Sequence, residues 1–197
     1  MYLHMGLEDL MDREIRKALE IDPTSEWVKL QIYIYYQVLN RYDDYLRVRN
    51  DFFPEDPISP GYYLVKNDLA KAREYVEDAD KKDPQGADPV IKAMLYSMKG
   101  KVRESEALLP IIIKFANTQK MKPSYHHNTY DIACIYAANG NATEAVKWLR
   151  ETATKGNPSY TLFTRDIFLD KIRRSPEFIQ FMEEMKPIYE RRRAEFK

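Results

Sequence analysis

Residues 130–149 read YDIACIYAANGNATEAVKWL, and this stretch decides the fold. Apolar residues recur at helical spacing on both sides of Gly140, a residue type that readily adopts the left-handed backbone conformation ending a helix. Ala133 and Ala145 are small enough to let two helix backbones approach closely, and Tyr136 would pack against a neighbouring helix. The stretch therefore predicts two helices that pair as a hairpin.

Similar turns recur along the rest of the chain. Each predicted turn contains a glycine or an asparagine and has a tyrosine four residues before it. The turn residues are Gly6, Asn40, Asn67, Gly100 and Gly140, and the tyrosines are Tyr2, Tyr36, Tyr63, Tyr96 and Tyr136. The first two turns are 34 residues apart, which is the period of a two-helix repeat. Asp-Pro pairs at 22–23, 56–57 and 83–84 follow the first three turns at equal distance and are expected to end helices, because proline cannot continue one.

Two parts of the chain depart from this regular spacing. The third unit is shorter than the second by about two helical turns, which predicts a stunted first helix around residues 62–66. Pro110 lies inside the helical segment 102–117 and is expected to kink or split it. Near the C-terminus, Ser175 followed by Pro176 is a helix-start signal and predicts a long final helix.

The hairpin pattern resembles the tetratricopeptide repeat (TPR), whose sequence runs W-x2-L-G-x2-Y, then A-x3-F, then P. In residues 130–149, Ile132 takes the place of the leucine, Ala133 that of the small residue and Tyr136 that of the tyrosine. Ala145 takes the place of the packing alanine, and Leu149 that of the aromatic partner. Weaker matches end at two of the Asp-Pro pairs. The alternative is an unrelated helical bundle whose turns coincide with this pattern.

The resemblance implies an all-α fold, a right-handed α-α superhelix in the form of a TPR-like solenoid of about five irregular helix pairs. Residues 1–159 would form the repeat array, with an incomplete first repeat and a shortened third. Residues 160–197 would form a C-terminal capping segment and long helix in the same domain. The incomplete first repeat indicates either a piece of a longer protein or a decayed repeat.

Residues 168–182, FLDKIRRSPEFIQFM, resemble the segment that closes many C-terminal TPR arrays of bacterial proteins. In such proteins the array often follows an effector domain. The resemblance therefore implies the C-terminal part of a larger bacterial regulatory protein. The residues expected to cover the last repeat are Leu169, Ile172, Phe178, Phe181 and Met182.

Composition argues against several classes of protein. Lys plus Arg and Asp plus Glu number 31 each, so the chain lacks the net basic charge expected of a nucleic-acid binder. A single cysteine, Cys134, excludes an internal disulfide framework and fits a reducing compartment. No apolar run approaches the roughly 18 residues needed to span a bilayer, and no signal peptide is visible. We therefore expect a cytoplasmic protein that contacts neither nucleic acid nor membrane.

The sequence contains no pattern typical of a catalytic or cofactor-binding site. The three histidines are His4, His126 and His127, and the adjacent pair is expected to point in different directions on a helix. His127 and Asp131 have the spacing of two metal ligands on a helix, although a surface hydrogen bond is the simpler interpretation. Cys134 fits a small buried apolar residue. We therefore predict no enzyme activity, no catalytic or metal-binding residues and no cofactor.

The resemblance also implies a binding surface, because the first helix of each TPR unit lines the concave face. The residues that the pattern places there are Trp27, Leu30, Ile34, Val90, Met94, His127, Tyr130, Cys134 and Ala137. Most of these residues are apolar, and an apolar groove must be covered or filled. We predict a protein–protein interaction module that binds a peptide or helix of a partner. The alternative is a structural or oligomerisation domain whose groove is filled by its own tail helix or by a second copy in a homodimer.

Overall fold

The computed structural model describes residues 2–82 and 86–196, and within them it contains twelve α-helices, two 3-10 helices and no β-strand. In chain order these are the first 3-10 helix Leu3–Met5, α1 Glu8–Ile21, α2 Glu26–Val38, α3 Tyr42–Phe52, α4 Pro60–Val65, α5 Leu69–Lys82, α6 Pro89–Met98, α7 Val102–Glu106, α8 Leu109–Thr118, α9 Tyr125–Ala138, α10 Ala142–Thr154, α11 Tyr160–Arg165, the second 3-10 helix Ile167–Ile172 and α12 Pro176–Glu195. The all-α prediction is confirmed.

All five predicted turn residues adopt a left-handed backbone. Their φ values are 72°, 54°, 57°, 73° and 83° for Gly6, Asn40, Asn67, Gly100 and Gly140. In each turn the tyrosine carbonyl accepts a hydrogen bond from the backbone N–H of the residue that follows the glycine or asparagine. Examples are Arg41 to Tyr36 at 2.8 Å and Asn141 to Tyr136 at 2.9 Å. This six-to-one bond defines a Schellman helix end. The recurring tyrosine therefore occupies one fixed position of one type of turn.

The helix-breaking prolines act mostly as predicted. Helix α1 ends at Ile21, just before Pro23, and Pro110 lies in the first turn of α8, so that the segment 102–117 is split into α7 and α8. The stunted helix of the third unit is α4, which has six residues. Helix α3 ends at Phe52, well before Pro57. The predicted stop at Asp83-Pro84 lies outside the described residues.

Consecutive helices pack as hairpins. Helix α2 packs on α3, α4 on α5, α6 on α7 and α9 on α10, while α6 also contacts α4 and α9. The closest hairpin is α9 with α10, where Ala133 and Ala145 are fully buried together with Ile132 and Leu149. These residues belong to the larger of two hydrophobic clusters, which extends from α4 to α12. The small side chains permit the close helix approach expected from the sequence.

A second, smaller cluster holds the N-terminal helices together. It contains Ile15 of α1, Ile32 and Tyr35 of α2, and Tyr45 of α3. A hydrogen bond joins this part to the start of α4: the Tyr45 hydroxyl accepts the backbone N–H of Ser59 at 2.9 Å. The apolar core thus consists of two clusters, which are connected by this hydrogen bond and by Val65, a side chain that packs against both.

The two ends of the chain are in contact. The second 3-10 helix packs on α9, and α12 packs on α10 and α11, with four of the five predicted covering residues buried and Met182 partly so. The same C-terminal elements hold the N-terminus. Thr161 donates to the carbonyl of Gly6 at 3.2 Å, Arg165 donates to the carbonyl of Leu39 at 2.7 Å, and Arg193 pairs with Asp9 at 2.9 Å. Hydrogen bonds and one ion pair therefore connect the first and last parts of the described chain.

Candidate functional site

A pocket of about 290 Å³, which we call the interior pocket, is lined by residues from both the N-terminal and the C-terminal parts of the chain. Helices α2, α6 and α9 contribute to its wall, together with the residues that begin α3 and the second 3-10 helix. The lining residues used below are Asn40, Tyr42, Met94, His127, Tyr130, Asp131, Cys134 and Asp166. The pocket thus contains carboxylates, an amide and phenols in addition to apolar side chains such as Met94, whereas the groove that the sequence predicts is mostly apolar.

Asp166 is buried and links three parts of the chain inside this pocket. Its carboxylate accepts hydrogen bonds from the Asn40 amide at 2.7 Å, from the Tyr130 hydroxyl at 2.6 Å and from the backbone N–H of Phe168 at 2.9 Å. Burial raises the pKa of Asp166, while the bonds from Tyr130 and Phe168 act in the opposite direction. Because three donors already occupy it, this carboxylate serves as a structural cross-link between the N-terminal helices, α9 and the C-terminal segment.

Asp131 has a different environment. It is partly exposed and lines both the interior pocket and a second cavity. Its burial, followed by repulsion from the carboxylates of Asp88 and Asp166, raises its pKa from 3.8 to about 7. The carboxyl group of Asp131 is therefore close to half-protonated at neutral pH, and a cation placed beside it would favour its charged form.

The second cavity, which we call the α8 groove, has a volume of about 800 Å³. Val90, Leu108, Ile111, Ile112 and Phe115 form its apolar wall. Ile111 is 58% exposed and Phe115 is 57% exposed, although both are large apolar side chains on one helix. The volume lies in the range of sites that bind ligands or peptides, and the exposed side chains are available for contact.

The polar side of the α8 groove is acidic. Asp88 and Asp131 line it, together with Asn128. The one lining cation among the described residues, Lys92, forms an ion pair with Asp80, and this pair reduces the contribution of its charge. An apolar wall facing a carboxylate edge favours an occupant that carries both apolar and basic groups.

The nine residues of the predicted groove are distributed among four environments. Met94, His127, Tyr130 and Cys134 line the interior pocket, Val90 lines the α8 groove, and Ala137 is buried in the core. Trp27, Leu30 and Ile34 form an exposed row on α2, which we call the α2 row, and Trp27 is 69% exposed. The structure therefore does not bring these residues together in one groove, because Trp27, Leu30 and Ile34 lie on an exposed face of α2 that lines neither cavity.

Cys134 is 1% exposed beside Tyr130 and Asp166. Burial, followed by the negative charge of Asp166, raises the pKa of its thiol well above the ordinary value. Because the thiolate is the reactive form of cysteine, this residue is suited to packing and not to nucleophilic chemistry.

The three histidines lie together, although the sequence predicts that the adjacent pair points apart. His4 Nε2 and His126 Nε2 are 3.1 Å apart, and one ring nitrogen of each of the three residues lies within 4.8 Å of the others. Burial lowers the pKa values of His4 and His127 to about 4 and also lowers that of His126. All three imidazoles are thus neutral at pH 7. Sequence spacing could not reveal the cluster, because His4 is more than 120 residues from the pair.

No protein-family model matches the sequence, and comparisons with curated proteins and with solved structures found no significant similarity. None of the described helices combines the length and the apolar character that a bilayer-spanning segment requires. Function is therefore inferred from the cavities and exposed surfaces of the molecule itself.

Proposed function

We propose that the chain is a protein–protein interaction module of TPR-like helix pairs, and that the α8 groove binds an apolar, basic peptide or helix of a partner protein. The observation that carries this proposal is the exposure of Ile111 and Phe115 along a groove of about 800 Å³ with an acidic edge. Helix α8 has ten residues and is about 15 Å long. That length matches roughly three turns of a docked amphipathic helix.

The TPR-like superhelix is supported by the recurring Schellman turns and by the contacts of α6 with both α4 and α9. First helices of adjacent repeats meet in this way in a solenoid. A role as the C-terminal part of a larger bacterial regulatory protein, and a cytoplasmic location, remain predictions from the resemblance.

The proposed occupant follows from the chemistry of the α8 groove. Its apolar side chains would cover Ile111 and Phe115, and a lysine or arginine would approach Asp131 and Asp88. Approach of that cation would lower the pKa of Asp131 and ionise it, so that binding of a basic peptide would release a proton near neutral pH.

Selection from a random-peptide library tests the proposal. We expect the protein to enrich peptides that combine apolar residues with lysine or arginine. Ile111→Ser and Phe115→Ser should each lower the affinity for the selected peptides by about tenfold or more, because truncating a central apolar contact costs at least about 1–2 kcal/mol. Fluorescence anisotropy measures this affinity. Both residues are exposed, so the fold should persist.

Met121→Ser is the matched control, since Met121 is 96% exposed and does not line the α8 groove. This variant should bind the selected peptides as tightly as the unaltered protein. Failure to enrich any peptide, or equal binding by the groove and control variants, would contradict the proposal.

Self-association is a second candidate function, and the α2 row favours it. Trp27, Leu30 and Ile34 follow one face of α2 at helical spacing and are exposed. The tail helix α12 is not proposed as the occupant of either surface, because its apolar residues Phe178 and Phe181 are already buried in the core. Light scattering on the same samples distinguishes a dimer built on the α2 row from a monomer.

A further inference from the structure

The first turn of α9 and the N-terminal segment together contain every histidine of the chain. His4 belongs to the first 3-10 helix, whereas His126 and His127 begin α9. The ring centroid of His126 lies 4.4 Å from that of His4 and 4.3 Å from that of His127. This cluster is separate from the α8 groove and plays no part in the proposed peptide binding.

We propose that His4, His126 and His127 form a binding site for a single divalent transition-metal ion of the zinc type, with water or an exogenous anion as the fourth ligand. Imidazole nitrogen is a preferred ligand of Zn²⁺, Co²⁺, Ni²⁺ and Cu²⁺ and is a poor ligand for Mg²⁺ or Ca²⁺. Three protein ligands with one open position are typical of zinc sites that are not purely structural.

The separations of the nitrogen atoms support this assignment. With Zn–N bonds of roughly 2.0–2.1 Å, two ligands of a tetrahedral ion lie about 3.3 Å apart. The Nε2 atoms of His4 and His126 are 3.1 Å apart, and no pair within the cluster exceeds 4.8 Å. A shift of about 1–1.5 Å in one ring would bring all three nitrogens to the bonding distance of roughly 2.0–2.1 Å. The His4 side chain is partly exposed, and rotation about its side-chain dihedral angles can supply that shift.

The surroundings hold the two halves of the site in place. Gly6 has a φ of 72°, and a Cβ atom there would lie 2.9 Å from the Thr161 hydroxyl, so the chain after His4 is pressed closely against α11. On the other side, the Nδ1 atom of His126 is buried without a hydrogen-bond partner and lies near Gly156. The Nε2 atom of the same ring faces His4. The His126 ring thus presents its Nε2 atom to the cluster.

Binding of the metal would connect the N-terminal segment to α9. His127 also lines the interior pocket, so the site lies beside that pocket. Metal binding is thus expected to stabilise the contact between the N-terminal segment and α9.

Metal titration of the full chain, without an affinity tag and after removal of metal by a chelator, tests the site. We expect one Zn²⁺ per chain with a dissociation constant in the micromolar range or tighter, a rise in melting temperature, and visible absorption from tetrahedral Co²⁺. Loss of a second-sphere group already costs about 10–100-fold in metal affinity. His4→Ala and His127→Gln should therefore each lower the affinity for Zn²⁺ at least about 100-fold and abolish the rise in melting temperature.

Cys134→Ser is the matched control, because it removes the one thiol of the chain, a strong alternative ligand, and should leave zinc binding unchanged. His4→Ala alters a partly exposed residue near the N-terminus, so circular dichroism should show an unchanged helical content. The proposal is overturned if the unaltered protein binds no Zn²⁺ at micromolar concentration, which would identify the 3.1 Å contact as a hydrogen bond between neutral rings. The proposal is equally overturned if several Zn²⁺ ions bind weakly and His4→Ala does not change their number or affinity.

Discussion

Replacing Asp131 by asparagine should stabilise the protein at neutral pH, and the effect should disappear in acid. The pKa of the Asp131 carboxyl is raised to about 7 in the folded chain. Between pH 4 and pH 7 the folded state therefore holds a proton that the unfolded state releases, and the free energy of unfolding falls as the pH rises through this range. Asparagine has the shape of the protonated acid and carries no charge at any of these pH values.

The magnitude follows from the pKa difference. A change from 3.8 to about 7 corresponds to about 4 kcal/mol at roughly 1.36 kcal/mol per pH unit. Asp131 is partly exposed, and water reduces the cost of its charge. We therefore expect Asp131→Asn to raise the free energy of unfolding by about 1–3 kcal/mol above pH 7 and by close to zero at pH 4.

Urea denaturation at a series of pH values between 4 and 8 measures this difference. The comparison must be made between variants, because the histidines with lowered pKa values stabilise the fold as the pH rises through an overlapping range. Asp51→Asn, which alters an exposed aspartate on α3, is the control and should shift the free energy of unfolding little at any pH. If Asp131→Asn and the unaltered protein keep a constant difference from pH 4 to pH 8, Asp131 has an ordinary pKa and the reasoning fails.

Two further predictions concern the interior pocket and the α2 row. Tyr130→Phe removes a donor from the buried carboxylate of Asp166 and should lower the free energy of unfolding by about 1.5–3 kcal/mol in urea denaturation; if combining it with Asp166→Asn gives strictly additive losses, the two groups are not coupled. Leu30→Glu should leave the helical content and melting temperature unchanged, since Leu30 is 43% exposed, whereas Met94→Glu should unfold the protein, since Met94 is 6% exposed. If the chain forms a dimer through the α2 row, Leu30→Glu should convert it to a monomer in light scattering, and a dimer that survives the change uses another surface.

The helices could be predicted from the sequence because local chemistry determines where a helix begins and ends. Glycine and asparagine at the predicted turns gave the helix ends: α2, α6 and α9 each end two residues before the turn residue. Pro110 predicted the division between α7 and α8 for the same reason. Each of these signals depends on neighbours within one or two helical turns.

The candidate sites could not be predicted in the same way. Asp166 reads as an ordinary polar residue before a short helix, yet it accepts a hydrogen bond from Asn40, which is 126 residues away. Ile111 resembles any core residue of an apolar helix, and its exposure depends on how α8 lies against α6 and α9. The histidine cluster likewise requires the N-terminus to meet the first turn of α9.

The sequence by itself therefore determined the all-α class and the positions of the five left-handed turns that follow a tyrosine, because backbone conformation and helix ends are set by residues close in the chain. Only the tertiary structure decided which polar groups meet. The residues predicted to share one apolar groove lie instead in the interior pocket, in the α8 groove, in the core and in the exposed α2 row. These environments arise from contacts between residues far apart in the chain, and their formation depends on the packing of whole helices, which no local pattern encodes.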